Sequence, residues 1–322
     1  MSRKATPHPD THRFSPADLD RFDDEALRTF LDPADGGVRP SLAGLALQGR
    51  PVLATRVRAA LPPEARAGFD SGLGTPADPR AVARAGQSLV RQLFWPLLYW
   101  CAPDLYLDLI AGEDLPEKLM EALPIDGRTI ADLGAGAGRF AIPAARRALR
   151  VIAVDAIPAL LERLESRARA AGVGNLEARR GSFRSLPITD RSVDAAVYCS
   201  SLHDRGPHGG PGAIDEAERI VRPGGWIAVV WPESSGWLLK RGFSLLTTAA
   251  EPRVRFPDLE TAERLCREFY GAGAARWVRQ HGTCEVPAAV VGRPAVGIAC
   301  IRRVPRPDGG TPPAGSGSGT PH

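Results

Sequence analysis

Three glycines at alternate positions, Gly134, Gly136 and Gly138, and a carboxylate further on, Asp155, are the residues whose types and spacing speak first of chemistry. A chain that turns sharply from a strand into a helix needs φ values that side chains forbid. A turn without side chains also lets a ligand approach the backbone N–H groups at a helix start. Asp155 offers only acceptors when ionised, and a vicinal diol offers two donors, so the pair suits a ribose. A second acid, Asp132, stands two residues before the first glycine.

The elements that must position these residues lie in one stretch, TIADLGAGAGRFAIPAARRALRVIAVD, from Thr129 to Asp155. Thr129 to Leu133 reads as a strand, Phe140 to Leu149 as an alanine-rich helix, and Val151 to Val154 as a second strand with Asp155 at its tip. This is the opening of a nucleotide-binding βαβ unit. The dinucleotide fingerprint G-x-G-x-x-G would require glycine at 139, where the chain has Arg139, and no Tyr-x-x-x-Lys pair accompanies it. A nicotinamide-dependent dehydrogenase is therefore a distant third reading.

Three further stretches follow in order. PALLERLESRARAAG reads as a helix ended by Gly172, and Leu176 to Arg180 as a third strand leading to Gly181, Ser182 and Phe183. SLPITDRSVDAAVYCSSLHD reads as a loop running into a fourth strand, Val193 to Tyr198. Pro211 to Val221 reads as a helix ended by Arg222-Pro223-Gly224-Gly225, before a fifth strand from Trp226 to Trp231.

D-L-G-A-G-A-G, G-S-F, the L-P-I-T-D-R-S-V-D segment and V-R-P-G-G together resemble the class I S-adenosylmethionine-dependent methyltransferases over roughly residues 125 to 235. The resemblance implies an α/β fold, a Rossmann-like doubly wound, mostly parallel seven-stranded sheet with an antiparallel edge strand, here with a helical N-terminal extension. It implies S-adenosyl-L-methionine as cofactor. Its contacts carry over to Asp132, Gly134, Ala135, Gly136 and Gly138 in the first motif and to Asp155 and Ala156 at the second strand. They continue to Ser182, where the family often has an acid for the adenine amino group, to Phe183 against the ring, and to Cys199. The implied activity is methyl transfer by in-line displacement to a small-molecule acceptor.

Ligands of parallel sheets sit at the carboxyl ends of strands, which places Cys199, Ser200, Ser201, Leu202 and His203 at the mouth of the site. His203 is the candidate base if the acceptor must lose a proton. Orienting substrate or capping the loop is the alternative role. His208 is a weaker candidate. Two other classes stay open. One is a tRNA- or RNA-modifying methyltransferase using Arg146, Arg147, Arg150, Arg179 and Arg180. The other is a non-catalytic S-adenosylmethionine-binding protein of the same fold.

Around this core, 322 residues with 43% apolar content leave a surplus for additions. Residues 1–13 read as a disordered tail without a secretory h-region, 14–123 as a helical cap or lid, 124–304 as the catalytic domain, and 305–322 as a disordered Pro/Gly/Ser/Thr tail. Phe94, Trp95, Tyr99, Trp100 and Tyr106 form the densest aromatic group, either a packed layer or the wall of an acceptor pocket. Leu259 to Phe269 reads as a helix, and Arg276 to His281 and Val296 to Arg303 as two last strands forming an antiparallel pair. Trp237, Phe243 and Phe256 are further pocket candidates. A net charge of +4 without a basic block gives no strong case for nucleic acid. No apolar run approaches the roughly 18 residues of a membrane span. The 5 cysteines are scattered, so neither zinc nor a disulfide framework is implied, and a cytoplasmic protein is expected. The oligomeric state is not legible.

Overall fold

The computed structural model describes residues 13–34, 37–113, 115–206, 209–249, 252–293 and 296–306. His208 and nearly all of the two expected tails lie outside the described residues.

The chain begins with a short 3₁₀ helix, Pro16–Arg21, whose Asp18 carboxylate accepts from the Ser15 N–H at 2.8 Å. Helices follow at Asp24–Leu31, Pro40–Ala46, Pro51–Ala60, Pro63–Gly74, Pro79–Gln92, Phe94–Cys101, Pro103–Ala111 and Glu117–Ala122. Their starts are written locally. Proline stands first in several of them, where its missing N–H leaves nothing unsatisfied. Asp23 and Asp78 cap two of the helices by accepting from the N–H groups of Ala26 and Ala81.

Among the described residues nine strands can be numbered. They are β1 (Thr129–Leu133), β2 (Arg150–Asp155), β3 (Leu176–Arg180), β4 (Val193–Cys199), β5 (Val221–Val230), β6 (Ser244–Thr248), β7 (Arg253–Arg255), β8 (Glu285–Pro287) and β9 (Gly297–Arg303). Seven make one sheet in the order β3-β2-β1-β4-β5-β9-β6. β1 to β5 run parallel, and β9 pairs antiparallel with both β5 and β6 at one side. β7 and β8 form a separate antiparallel pair.

The central parallel strands, β1, β2, β4 and the second half of β5, are mostly apolar because helices cover both faces, whereas β3 at the edge is only half-buried. Alternate residues divide between two cores, as a period of two demands. Ile130, Val151, Ala195 and Ala228 face one side, and Ala131, Ile152, Ala196 and Ile227 the other. The chain winds outward from β1 toward β3 and then returns to β4, so the order reverses between β1 and β4. A crevice opens there beyond the carboxyl ends of the strands.

The N-terminal helices pack on the catalytic sheet through the helix Pro158–Ala170, with Ile157 and Leu160 in their core. A second shared core joins Phe94, Leu98 and Leu109 to Phe256, Leu265 and Val278 near the C-terminus. The segment from Phe94 to Ala111 is thus held from two sides over the crevice.

Several local expectations give way to tertiary structure. Arg276–His281 is not a strand but the end of a helix, Ala272–His281, where Ala274, Ala275 and Val278 make one buried helical face. The partner of β9 is instead β6, drawn from the stretch after β5. The helix expected over Phe140–Leu149 contracts to Ala141–Ala145, and the one over Leu259–Phe269 ends at Leu265 and continues as a π turn, Cys266–Tyr270. Arg222-Pro223-Gly224-Gly225 belongs to β5, which starts at Val221 and stops before Trp231.

Candidate functional site

All three motif glycines have positive φ: 74° at Gly134, 52° at Gly136 and 89° at Gly138. A Cβ at Gly134 would fall 2.5 Å from the Ser201 Cβ, and one at Gly136 would fall 3.2 Å from the Tyr106 hydroxyl. Both conformation and close approach therefore require glycine. The turn's N–H groups, however, are committed within the protein. Those of Gly134 and Ala135 donate to the Val154 carbonyl, and that of Gly136 donates to Asp155 Oδ2 at 2.8 Å. The glycines give clearance, and these amides tie β1 to β2.

Asp155 receives a second bond, from the Ile157 N–H on Oδ1 at 2.9 Å. These bonds orient its carboxylate on the wall of a cavity of about 570 Å³ outside β1 and β4. Burial pushes Asp155 above the usual carboxylate range, against the backbone donors that favour its charge. Gly134, Gly136, Asp155, Ala156, Ser182 and Phe183 all line this cavity, and so do Cys199 and His203. Asp132, Ala135 and Gly138 do not. Asp132 is 1% exposed beneath the turn, with neither carboxyl oxygen in a hydrogen bond of ordinary geometry. Burial, and then the charge of Asp155, push its pKa up to about 8.

The cavity's far rim comes from the ends of β4 and β5. Ser200 and Trp231 both line it, with φ of 54° and 50°. Side chains rarely hold that conformation, and such strain collects at functional sites. Ser201 Oγ donates to the Leu133 carbonyl at 2.7 Å, locking the end of β4 against β1. Phe183 meets Tyr198 edge to face at 5.2 Å, which fixes its ring. His203 Nδ1 is paired with the Glu233 carboxylate, so a histidine from the β4 end and an acid from the β5 end meet at the mouth. Burial raises the Cys199 thiol to about 11, against the Arg139 charge that favours its thiolate.

Trp95, Tyr99 and Tyr106 roof the cavity, so part of the aromatic group is pocket wall, whereas Phe94 is core. Trp237, Phe243 and Phe256 are not on the wall. Trp237 carries the Arg241 guanidinium, and the other two are buried in cores.

Sequence reasoning missed a charged cluster at one end. Glu113, 2% exposed, accepts from Arg139, from the Tyr270 hydroxyl at 2.7 Å and from Arg293 Nη2 at 3.0 Å. Burial alone would raise the Glu113 carboxyl, but the Arg293 and Arg139 charges outweigh it and hold it below its usual range. Arg139 also lies over the Trp231 ring at 5.2 Å. Only Arg139 was marked by its place next to the glycine turn.

Four of the five arginines considered for RNA are engaged in ion pairs. Arg147 pairs with Asp126, Arg150 and Arg179 with Glu177, and Arg180 with Asp23. No helix among the described residues is long and apolar enough to cross a membrane.

Residues 130–225 match the family described as methyltransferase domain. An uncharacterized methyltransferase of Mycobacterium tuberculosis (strain H37Rv) is 35% identical over 149 residues, 44% of this chain, and the match spans 58% of that relative's length. Among solved structures, a putative methyltransferase from Bacillus halodurans is 17% identical, with a TM-score of 0.40, over 59% of this chain and 98% of that one. Phosphoethanolamine N-methyltransferase 1 from Haemonchus contortus, solved with phosphoethanolamine and S-adenosylhomocysteine, is 26% identical, with a TM-score of 0.30, over 40% of this chain and 26% of that one.

Proposed function

We propose, from the premise that residues 130–225 form a methyltransferase domain of the class I type, that this protein methylates a small-molecule acceptor using S-adenosyl-L-methionine. The observation that carries the reading is the cavity at the sheet's switch point, with the glycine turn on its floor and Asp155 on its wall. Residues present fit the cofactor: Gly134 and Gly136 give the cavity a stretch of lining without side chains, and the wall carboxylate retains acceptor capacity for a ribose diol.

When bound, S-adenosylmethionine supplies a methyl group activated on a sulfonium. Asp155 would accept from the ribose hydroxyls, and Phe183 would lie against the base, with Ser182 beside it. Gly134, Gly136 and Ala156 would shape the remaining contact. Trp95, Tyr99 and Tyr106 would exclude water and hold the acceptor, and positioning of this kind is worth up to roughly 7 to 11 kcal/mol in well-oriented systems. His203 would take a proton from the acceptor, with Glu233, paired to its Nδ1, orienting the ring. The roof built from the chain's own helices, read as a cap over 14–123, supports a small acceptor over a nucleic acid. Five free thiols support a cytoplasmic setting.

Isothermal titration tests the reading. S-adenosylhomocysteine should bind and NADH should not. Binding of NADH without S-adenosylhomocysteine would overturn it, and tight binding with no turnover across an acceptor screen would favour a non-catalytic role.

A further inference from the structure

The cluster at Glu113 points beyond the donor to the acceptor. Two guanidiniums, Arg139 and Arg293, share one carboxylate at the end of the cavity, and all three residues line it. The neighbouring hydroxyls of Tyr99, Tyr106 and Tyr270 bring no negative charge, since burial raises each of them, Tyr106 to about 12. Asp155 has its carboxylate tied to two backbone N–H groups. Asp132, raised by burial, stands below the turn and off the wall.

The cluster taken by itself is therefore one positive charge in excess, with Arg139 largely shielded and Arg293 about one-third exposed. Arg293 directs Nε and Nη2 to Glu113, and Nη1 makes no hydrogen bond among the described residues. Arg139 gives Glu113 only Nη1 and keeps Nε and Nη2 out of that pair. A buried charge without its counterion is costly, and a guanidinium's fork matches a carboxylate or phosphate. The aromatic wall of Trp95 and Tyr99, stacked at 29° with centroids 5.9 Å apart, offers a flat apolar surface beside it.

We infer that the acceptor carries an anionic group, a carboxylate or a phosphate, seated on Arg293 and Arg139 with its apolar body against the aromatic roof. Glu113 then acts as a positioning residue, holding the two forks open toward the cavity. The inference rests on the methyl-transfer reading, and its test does not use turnover.

The experiment titrates the full chain, saturated with S-adenosylhomocysteine, with sodium benzoate and with benzamide as the neutral isostere. Benzoate should bind about tenfold tighter or more, the size of a charge-assisted hydrogen bond. Arg293→Gln should abolish that preference and change S-adenosylhomocysteine affinity less than about twofold. Equal affinity for the two probes, or binding of neither, overturns the inference. So does an equal loss of S-adenosylhomocysteine affinity in the variant, which would assign the arginines to the cofactor's own carboxylate. Should the variant not fold, the wild-type comparison decides. Failure of the wild type to bind S-adenosylhomocysteine would sink the donor reading alone, and benzoate against benzamide on the ligand-free protein still reads the anion site.

Discussion

Asp132→Asn should make the protein more stable at neutral and alkaline pH, by an amount that grows with pH. Asp132 is 1% exposed, and its pKa is raised from 3.8 to about 8 by burial and by the neighbouring Asp155 charge. In the unfolded chain it ionises near the ordinary value. A carboxyl raised in the folded state contributes its full stability below that value and loses it as pH rises through the folded pKa. Between about pH 4 and pH 8 the folded protein holds a proton that the unfolded chain has released. At about 1.4 kcal/mol per pH unit, wild-type stability falls by about 4 kcal/mol by pH 7 and about 5 kcal/mol by pH 8 from this group alone. Asparagine has nearly the same shape and does not titrate. The assay is urea unfolding of both proteins at pH 4, 5, 6, 7 and 8, reading the difference in unfolding free energy at each pH. Subtraction cancels groups common to both, including Glu177, held down to about 2 chiefly by hydrogen bonds from Arg179 and Arg150. A difference that stays flat within about 1 kcal/mol across this window would refute the reasoning, because it would mean that Asp132 ionises in the fold as it does in water.

Gly136→Ala should lose S-adenosylhomocysteine binding in titration calorimetry while costing about 1–2 kcal/mol of stability for the positive φ of 52°. Unchanged affinity would show that the turn does not face the ligand. Glu113→Ala should lower stability by about 2–3 kcal/mol in urea, since it strands two partly buried guanidiniums, of which Arg293 can still reach water. A loss below about 1 kcal/mol would mean that both find other partners or water. His203→Ala, with a true acceptor in hand, should slow turnover by about 10²–10⁴-fold while leaving S-adenosylhomocysteine affinity unchanged. Unaltered turnover would remove His203 from the chemistry.

The parts of this protein that the amino-acid sequence determined by itself are those where the physics is local. A glycine-rich turn declares itself because the backbone conformation at 134, 136 and 138 excludes side chains. The parallel strands declare themselves because burial on both faces demands apolar runs such as Val151 to Val154. Asp155 is marked by standing at a strand tip one crossover after that turn. His203 is placed by the same rule, at the end of β4. Local patterns erred where neighbours in space decided. RWVRQH, Arg276 to His281, contains enough alternation to pass for a strand, and only the core around Val278 makes it part of a helix. β6 was hidden because its burial is partial along its length, and pairing with β9 makes it a strand.

Tertiary structure alone assembled the charged end of the cavity. Glu113 and Arg293 are separated by 180 positions, and Glu113 and Tyr270 by 157. No periodicity links residues so far apart. A lone Glu after a helix and a lone Arg after a glycine look like solvated loop charges until folding strips their water away. The same holds for the roof, where Trp95, Tyr99 and Tyr106 become cavity wall only because helices from the N-terminal region close over strand ends near the middle of the chain. Backbone conformation is a property of neighbours in sequence and can be read there. Desolvation and charge pairing are properties of neighbours in space, and they come into being only when the chain has folded.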